Sequence, residues 1–154
     1  MELMITSSTV KGALMRDLIE GWLAKRRRVA ILMFEASTAK VLNDVVGGRD
    51  DVLIVNSIAG NERKSLMMFA TLLGRVNSGI VDEIYGAYLV SVSSTPRGEA
   101  FRVQREFIFL ISLIRYLESL NSAEVKAYTS IGEPENWFSG LFDKVVRVPG
   151  GSDV

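Results

Sequence analysis

The chain has 154 residues, with 18 basic and 18 acidic side chains and neither cysteine nor histidine. This length suits a single domain with a substantial core. The missing residue types exclude disulfides, the usual zinc ligands and hydrolysis by Ser-His-Asp or Cys-His arrangements, and the zero net charge excludes a global basic field for nucleic acid.

Along the chain, short apolar runs alternate with longer segments of helical period, which is typical of βαβ units. We predict an α/β fold, a three-layer α/β/α sandwich with a mostly parallel sheet of about six strands, in one domain over residues 1–149 with a flexible tail at 150–154. The predicted strands are Glu2–Thr6, Val29–Phe34, Val52–Val55, Ala87–Val92, Val125–Thr129 and Lys144–Val148. Helices are predicted around Leu14–Leu23, Ala39–Val46, Leu66–Val76 and Glu99–Leu120.

The first strand leads through the small-residue turn Thr6–Thr9 into a helix. In nucleotide-binding α/β proteins the loop G-x-x-x-x-G-K-[ST] cradles phosphates at this place. Here Lys11 precedes Gly12, and no Ser or Thr follows to hold Mg²⁺. Two interpretations stay open, an anion site at the helix N-terminus or an ordinary capped turn. Both concern the same residues: Ser7, Ser8, Thr9, Lys11 and Gly12.

Two charged features have a functional and a structural interpretation each. Glu35 follows the second strand, at the carboxyl edge where open α/β sheets place ligands, but it could instead cap the next turn or pair with a nearby basic residue. The basic run Lys25, Arg26, Arg27 and Arg28 could contact nucleic acid or an acidic partner, or it could complement the dipole of the preceding helix and stay solvated.

The apolar candidates are a methionine pair, an aromatic pair and the longest helix. Met67 and Met68 are expected in the core. Trp137 and Phe138 are either an exposed anchor for a partner or a cover over the sheet edge. The segment 101–117 is apolar on more than one face, so we expect the sheet and a second surface to cover it.

The order of these motifs resembles the RecA superfamily of P-loop ATPases, in particular its KaiC-like and RadA-like branch, over nearly the whole chain. Thr6–Ala13 stands where the Walker A loop stands. The strand end Phe34-Glu35 resembles the F-E-E of KaiC-like proteins, whose glutamate orients the attacking water. Tyr88–Ser91 matches a Walker B strand, with Ser91 at the degenerate aspartate position.

The resemblance implies a non-catalytic pseudo-ATPase that acts by assembling with itself or with an active ATPase relative, because the groups that hold phosphate and metal are replaced. No cofactor and no metal are then expected. One alternative is a small nucleotide-binding ATPase, with ATP and Mg²⁺ on an unusual phosphate loop and Glu35 positioning water. Another is a recombination-paralogue subunit that contacts DNA through Lys25–Arg28. In each case we expect a soluble cytoplasmic protein without a membrane segment.

Overall fold

The computed structural model describes residues 1–34, 36–57, 62–83, 97–134 and 136–149. Its strands are β1 (Glu2–Ile5), β2 (Val29–Met33), β3 (Val52–Asn56), β4 (Ser78–Asp82), β5 (Glu124–Thr129) and β6 (Lys144–Arg147). Its helices are α1 (Ser8–Ala24), α2 (Ala36–Val46), α3 (Glu62–Leu73), α4 (Arg97–Asn121) and the short α5 (Asn136–Ser139). All strands are parallel and form one sheet in the order β3-β2-β4-β5-β1-β6.

Burial of the strands follows their place in the sheet. Every residue of β2 and β4 is buried, as expected for inner strands of a parallel sheet that is covered on both faces. The edge strands β3 and β6 are partly exposed. The α/β fold predicted from the alternating apolar runs is therefore confirmed.

The helices cover opposite faces of the sheet. Ile31 of β2 packs with apolar residues of α1 and α2, whereas its neighbours Ala30 and Leu32 pack with α3 and α4. Successive side chains of a strand point to opposite faces. The helix pairs α1–α2 and α3–α4 therefore pack against different sides of the sheet.

A glycine sets the distance between α3 and the sheet. A Cβ added to Gly79 of β4 would lie 2.8 Å from Phe69 Cζ and 2.9 Å from Leu73 Cδ1. These separations are shorter than van der Waals contact, so only glycine lets the helix approach β4 this closely.

The main difference from the predicted elements concerns the fourth strand. The structure has β4 at Ser78–Asp82, a segment for which the sequence analysis predicts no strand. Its only aliphatic residues are Ile80 and Val81, too few to form a recognisable apolar run. The strand predicted at Ala87–Val92 and the tail predicted at 150–154 lie outside the described residues. The helix predicted from Ala39 begins earlier, at Ala36.

Candidate functional site

The sheet order has switch points at the carboxyl ends of its central strands, the place where open α/β sheets form a ligand crevice. Neighbouring strands β1 and β5 send their following helices to opposite faces, since α1 packs on one side and Phe138 of α5 packs on the other. In the described part of the chain, β2 and β4 are arranged in the same way: α2 packs on one face, and α4, the first helix described after β4, packs on the other. Ligand sites of open α/β sheets lie at such switch points.

A buried lysine lies at this edge of the sheet. Only Thr6 and Ser7 separate β1 from α1, so Lys11 falls in the first part of the helix and on its core-facing side. Its side chain is 1% exposed, and its Nζ lies 3.2 Å from Asp82 Oδ1 and 2.5 Å from Glu83 Oε1. Burial of a charged amine is costly unless carboxylates neutralise it, which these two residues at the end of β4 do.

Glu83 connects three elements at this edge. Its Oε1 accepts hydrogen bonds from Lys11 Nζ and from the backbone N–H of Ser130, the latter at 2.8 Å. Its own N–H donates to the carbonyl of Tyr128 at 2.7 Å. The backbone of Glu83 has a φ of 56°, a conformation that costs a non-glycine residue on the order of 1 kcal/mol. The side-chain contacts offset this strain, so α1, β4 and β5 are tied together through one residue.

The electrostatics of the site do not favour a phosphate. The amine of Lys11 lies within 3.2 Å of two carboxylates, and negative charge at this place repels a phosphate. Burial raises the pKa of Tyr128 to about 12, and the carboxylates of Glu2, Asp82 and Glu124 contribute to the rise. This phenol therefore remains protonated at neutral pH and cannot serve as a general base. We refer to Lys11, Asp82 and Glu83 as the carboxyl-edge cluster.

The small-residue turn before α1 is short. Ser7 occupies the N-cap position, but its side chain makes no cap hydrogen bond to the helix; its Oγ lies 2.9 Å from Thr9 Oγ1 instead. Ser8 and Thr9 are exposed, and Gly12 is half-buried inside the helix. The predicted capping by a serine side chain is therefore not observed at Ser7. Of the five residues predicted for this turn, only Lys11 belongs to the carboxyl-edge cluster.

Sequence analysis missed Asp82 and Glu83. The sequence pattern that could have indicated them is the run Ile80-Val81-Asp82-Glu83, in which two aliphatic residues are followed by two acidic residues. Such a run is compatible with a buried strand that ends at the ligand-binding edge of a sheet. The other two predicted positions on this edge, Glu35 and Ser91, lie outside the described residues.

The basic run lies at the opposite edge of the sheet. Lys25 is the C-cap of α1 and Arg26 has a φ of 60°, so the run ends the helix. Arg27 Nη1 donates to Ser78 Oγ and Glu124 Oε2, each at 3.0 Å. Arg27 therefore connects the first residues of β4 and β5 through its hydrogen bonds. The other three residues of the run, Lys25, Arg26 and Arg28, are exposed.

The aromatic pair is largely internal. Phe138 is fully buried, with its ring centroid 5.8 Å from that of Phe107 and 5.2 Å from that of Phe142. It cannot be an exposed anchor, because its ring belongs to the core of one chain. Trp137 is half-buried and packs edge-on against Phe138.

The expected burial of the methionine pair is wrong. Met67 and Met68 are 52% and 50% exposed, because they lie on the side of α3 that faces away from the sheet. The apolar residues of α3 that do reach the core are Leu66, Phe69, Ala70 and Leu73.

No protein-family model and no curated protein matches the sequence. In the part of the chain that the structure describes, none of the helices combines the length and apolar character needed to cross a membrane. The same described residues contain no group of three or more acidic, histidine or cysteine side chains placed to hold a metal ion.

Proposed function

We propose that the chain is a non-catalytic, RecA-like protein that acts by assembling with itself or with an active ATPase relative. The observation that carries this proposal is the state of Lys11. In a phosphate-binding loop the lysine must point at the phosphates, but here its amine is buried and bonded to Glu83 and Asp82.

The turn around Lys11 supports the same proposal. A phosphate cradle consists of several backbone N–H groups in a glycine-rich loop before the helix. Only Thr6 and Ser7 lie between β1 and α1, and neither is glycine. A nucleotide would have to displace Lys11 from two carboxylates and open this turn at the same time, which makes tight binding unfavourable.

Titration calorimetry with Mg-ATP and Mg-ADP tests the proposal. We expect no binding at nucleotide concentrations up to about 1 mM, which corresponds to a binding free energy weaker than about −4 kcal/mol. A micromolar dissociation constant would overturn the proposal. Lys11→Met serves as the comparison variant: any heat that remains in this variant does not arise from a lysine-dependent phosphate site.

A second candidate is the small nucleotide-binding ATPase, and the acidic pair at the end of β4 favours it. Gly79-Ile80-Val81-Asp82 ends in an aspartate at the carboxyl edge, so this edge retains a carboxylate of the kind that holds Mg²⁺ in P-loop proteins. The calorimetry distinguishes the two candidates. If ATP binds, Asp82→Asn should abolish the Mg²⁺ dependence, while Lys11→Met should weaken nucleotide binding.

The remaining predictions concern location and nucleic acid. A cytoplasmic location belongs to this proposal, because the ATPase relatives with which the chain would assemble act on cytoplasmic ATP. DNA contact through Lys25, Arg26 and Arg28 is less favoured. Arg27 already binds Glu124, and the net charge of the chain is zero.

A further inference from the structure

Helix α4 carries an apolar stripe on its solvent side. Phe109, Tyr116 and Leu120 are 68%, 63% and 64% exposed. Half-buried Leu113 lies between them, at the border of the stripe, and also packs against the core. The four positions follow a spacing of four, three and four residues, which places them on one face of a helix. The residues that pack α4 against the sheet lie on the other side; they are Phe107, Leu110, Ile111 and Ile114.

We propose that this stripe is the contact between two copies of the chain, with their α4 helices antiparallel about a two-fold axis between Leu113 and Tyr116. The proposal rests on the assembly function above and names its interface. In this arrangement Phe109 of each copy lies opposite Leu120 of the other, and Leu113 lies opposite Tyr116. Each layer then pairs an aromatic with an aliphatic side chain, so the stripe is complementary to itself.

The charges along α4 favour the antiparallel arrangement. Arg105 is exposed one turn before Phe109 on the same face. An antiparallel pair keeps the two Arg105 side chains roughly 28 Å apart at 1.5 Å per residue, well beyond the screening length of about 8–10 Å. A parallel pair would place them side by side. Ser112 and Ser119 flank the stripe and are small enough to let two helices approach.

The exposed area sets the strength of the contact. The stripe has three exposed side chains and one half-buried side chain, so its area falls short of the ~800 Å² per partner that a standard stable interface buries. A second copy matches this small, uncharged surface without leaving a buried charge on either side. We therefore expect a reversible dimer with a dissociation constant of tens of micromolar, which corresponds to about −6 to −7 kcal/mol.

Disulfide trapping tests the geometry directly, because the chain contains no cysteine of its own. We expect Phe109→Cys mixed with Leu120→Cys to cross-link under mild oxidation, while each variant alone links at least ten-fold more slowly. Met67→Cys, equally exposed on α3, is the matched control and should not link to either. Self-linking of Phe109→Cys as fast as the mixture would overturn the antiparallel arrangement.

Sedimentation equilibrium tests the association itself. We expect the mass of the unmodified chain to rise with concentration, Tyr116→Ser to raise the dissociation constant at least ten-fold, and Met67→Ser to leave it unchanged. A monomer at every concentration up to about 1 mM, or a dimer that Tyr116→Ser does not weaken, would overturn the proposed interface. Calorimetry with ATP reports separately on the loss of nucleotide binding, so failure of the two proposals is distinguishable.

Discussion

The two edges of the sheet solve the same electrostatic problem in different ways. At the carboxyl edge, Lys11 and Asp82 are 1% and 0% exposed, and the amine of Lys11 contacts the carboxylates of both Asp82 and Glu83. At the amino edge, Arg27 and Glu124 form an ion pair whose side chains are 34% and 42% exposed. Water therefore solvates the charges of Arg27 and Glu124, but it has almost no access to those of Lys11 and Asp82.

This difference explains why the edges should respond differently to mutation. Removing one partner of a buried pair leaves a desolvated charge, whereas an exposed charge that loses its partner returns to water. Identical ion-pair distances therefore do not imply similar energetic contributions. We therefore expect substitutions at the amino edge to change the free energy of unfolding little, and substitutions in the carboxyl-edge cluster to lower it substantially.

The largest expected effect is that of Lys11→Met. It removes the buried amine that contacts the carboxylates of Asp82 and Glu83, so we expect the free energy of unfolding to fall by about 3–5 kcal/mol. Urea denaturation followed by circular dichroism measures this loss. Arg16→Met, at an exposed position of the same helix, is the matched control and should change stability by less than about 0.5 kcal/mol. Equal losses in both variants would contradict a special role of the buried cluster.

Substitutions of Glu83 separate its charge, its hydrogen bond and its backbone conformation. Glu83→Gln keeps an oxygen for the Ser130 N–H but loses the ionic contact with Lys11, so we expect a loss of about 1.5–3 kcal/mol. Glu83→Ala removes both contacts and should lose more. Glu83→Gly should be about 0.5–1 kcal/mol more stable than Glu83→Ala, because glycine adopts the positive φ without strain. The order Gln, Gly, Ala in denaturation midpoints checks all three effects.

Features of the carboxyl edge that depend on neighbouring residues can be predicted from the sequence, whereas contacts between distant residues cannot. Lys11 follows the same helical stripe as Met15, Ile19 and Trp22, so its burial can be inferred from periodicity alone. A lysine on a core stripe requires a carboxylate partner. The partners, however, lie 72 residues away for Glu83, and only the sheet order brings them together.

The predicted strands show the same limit. Five strands were predicted from their apolar residues, although β6 has only Val145 and Val146. β4 has the same number of aliphatic residues but was missed, because Ser78 and Gly79 occupy two of its five positions. Tertiary packing explains Gly79, because a Cβ at this position would lie 2.8 Å from Phe69 Cζ of α3. The sequence around β4 cannot show why a glycine is needed there, because the reason is a contact with a residue of another element, helix α3.

At the amino edge we expect small effects. Arg27→Gln should reduce the free energy of unfolding by less than about 1 kcal/mol, because the pair with Glu124 is half-exposed. Adding 1 M NaCl should remove most of the difference between Arg27→Gln and the unmodified chain. The stability difference caused by Lys11→Met should persist in the same salt. Arg28→Gln, at the neighbouring exposed position, is the control. A loss above about 2 kcal/mol for Arg27→Gln would show that the two edges do not differ in kind.

The smallest effect should appear as a pH dependence of the amino edge. Hydrogen bonding from the Met1 ammonium, together with Arg115, holds the pKa of Asp143 below its usual value. A lowered native pKa means that the contribution of Asp143 is present above its unfolded value of about 3.9 and disappears as the pH falls through the native pKa. The side chain of Asp143 is 54% exposed, so we expect less than about 1 kcal/mol. Asp143→Asn should therefore lower stability at pH 6 and converge with the unmodified chain in acid. If the free energies of unfolding of Asp143→Asn and of the unmodified chain differ by the same amount from pH 6 to pH 2.5, the proposed contribution of the Asp143 charge is wrong. A difference at pH 6 as large as that caused by Lys11→Met would contradict the contrast between exposed and buried ion pairs.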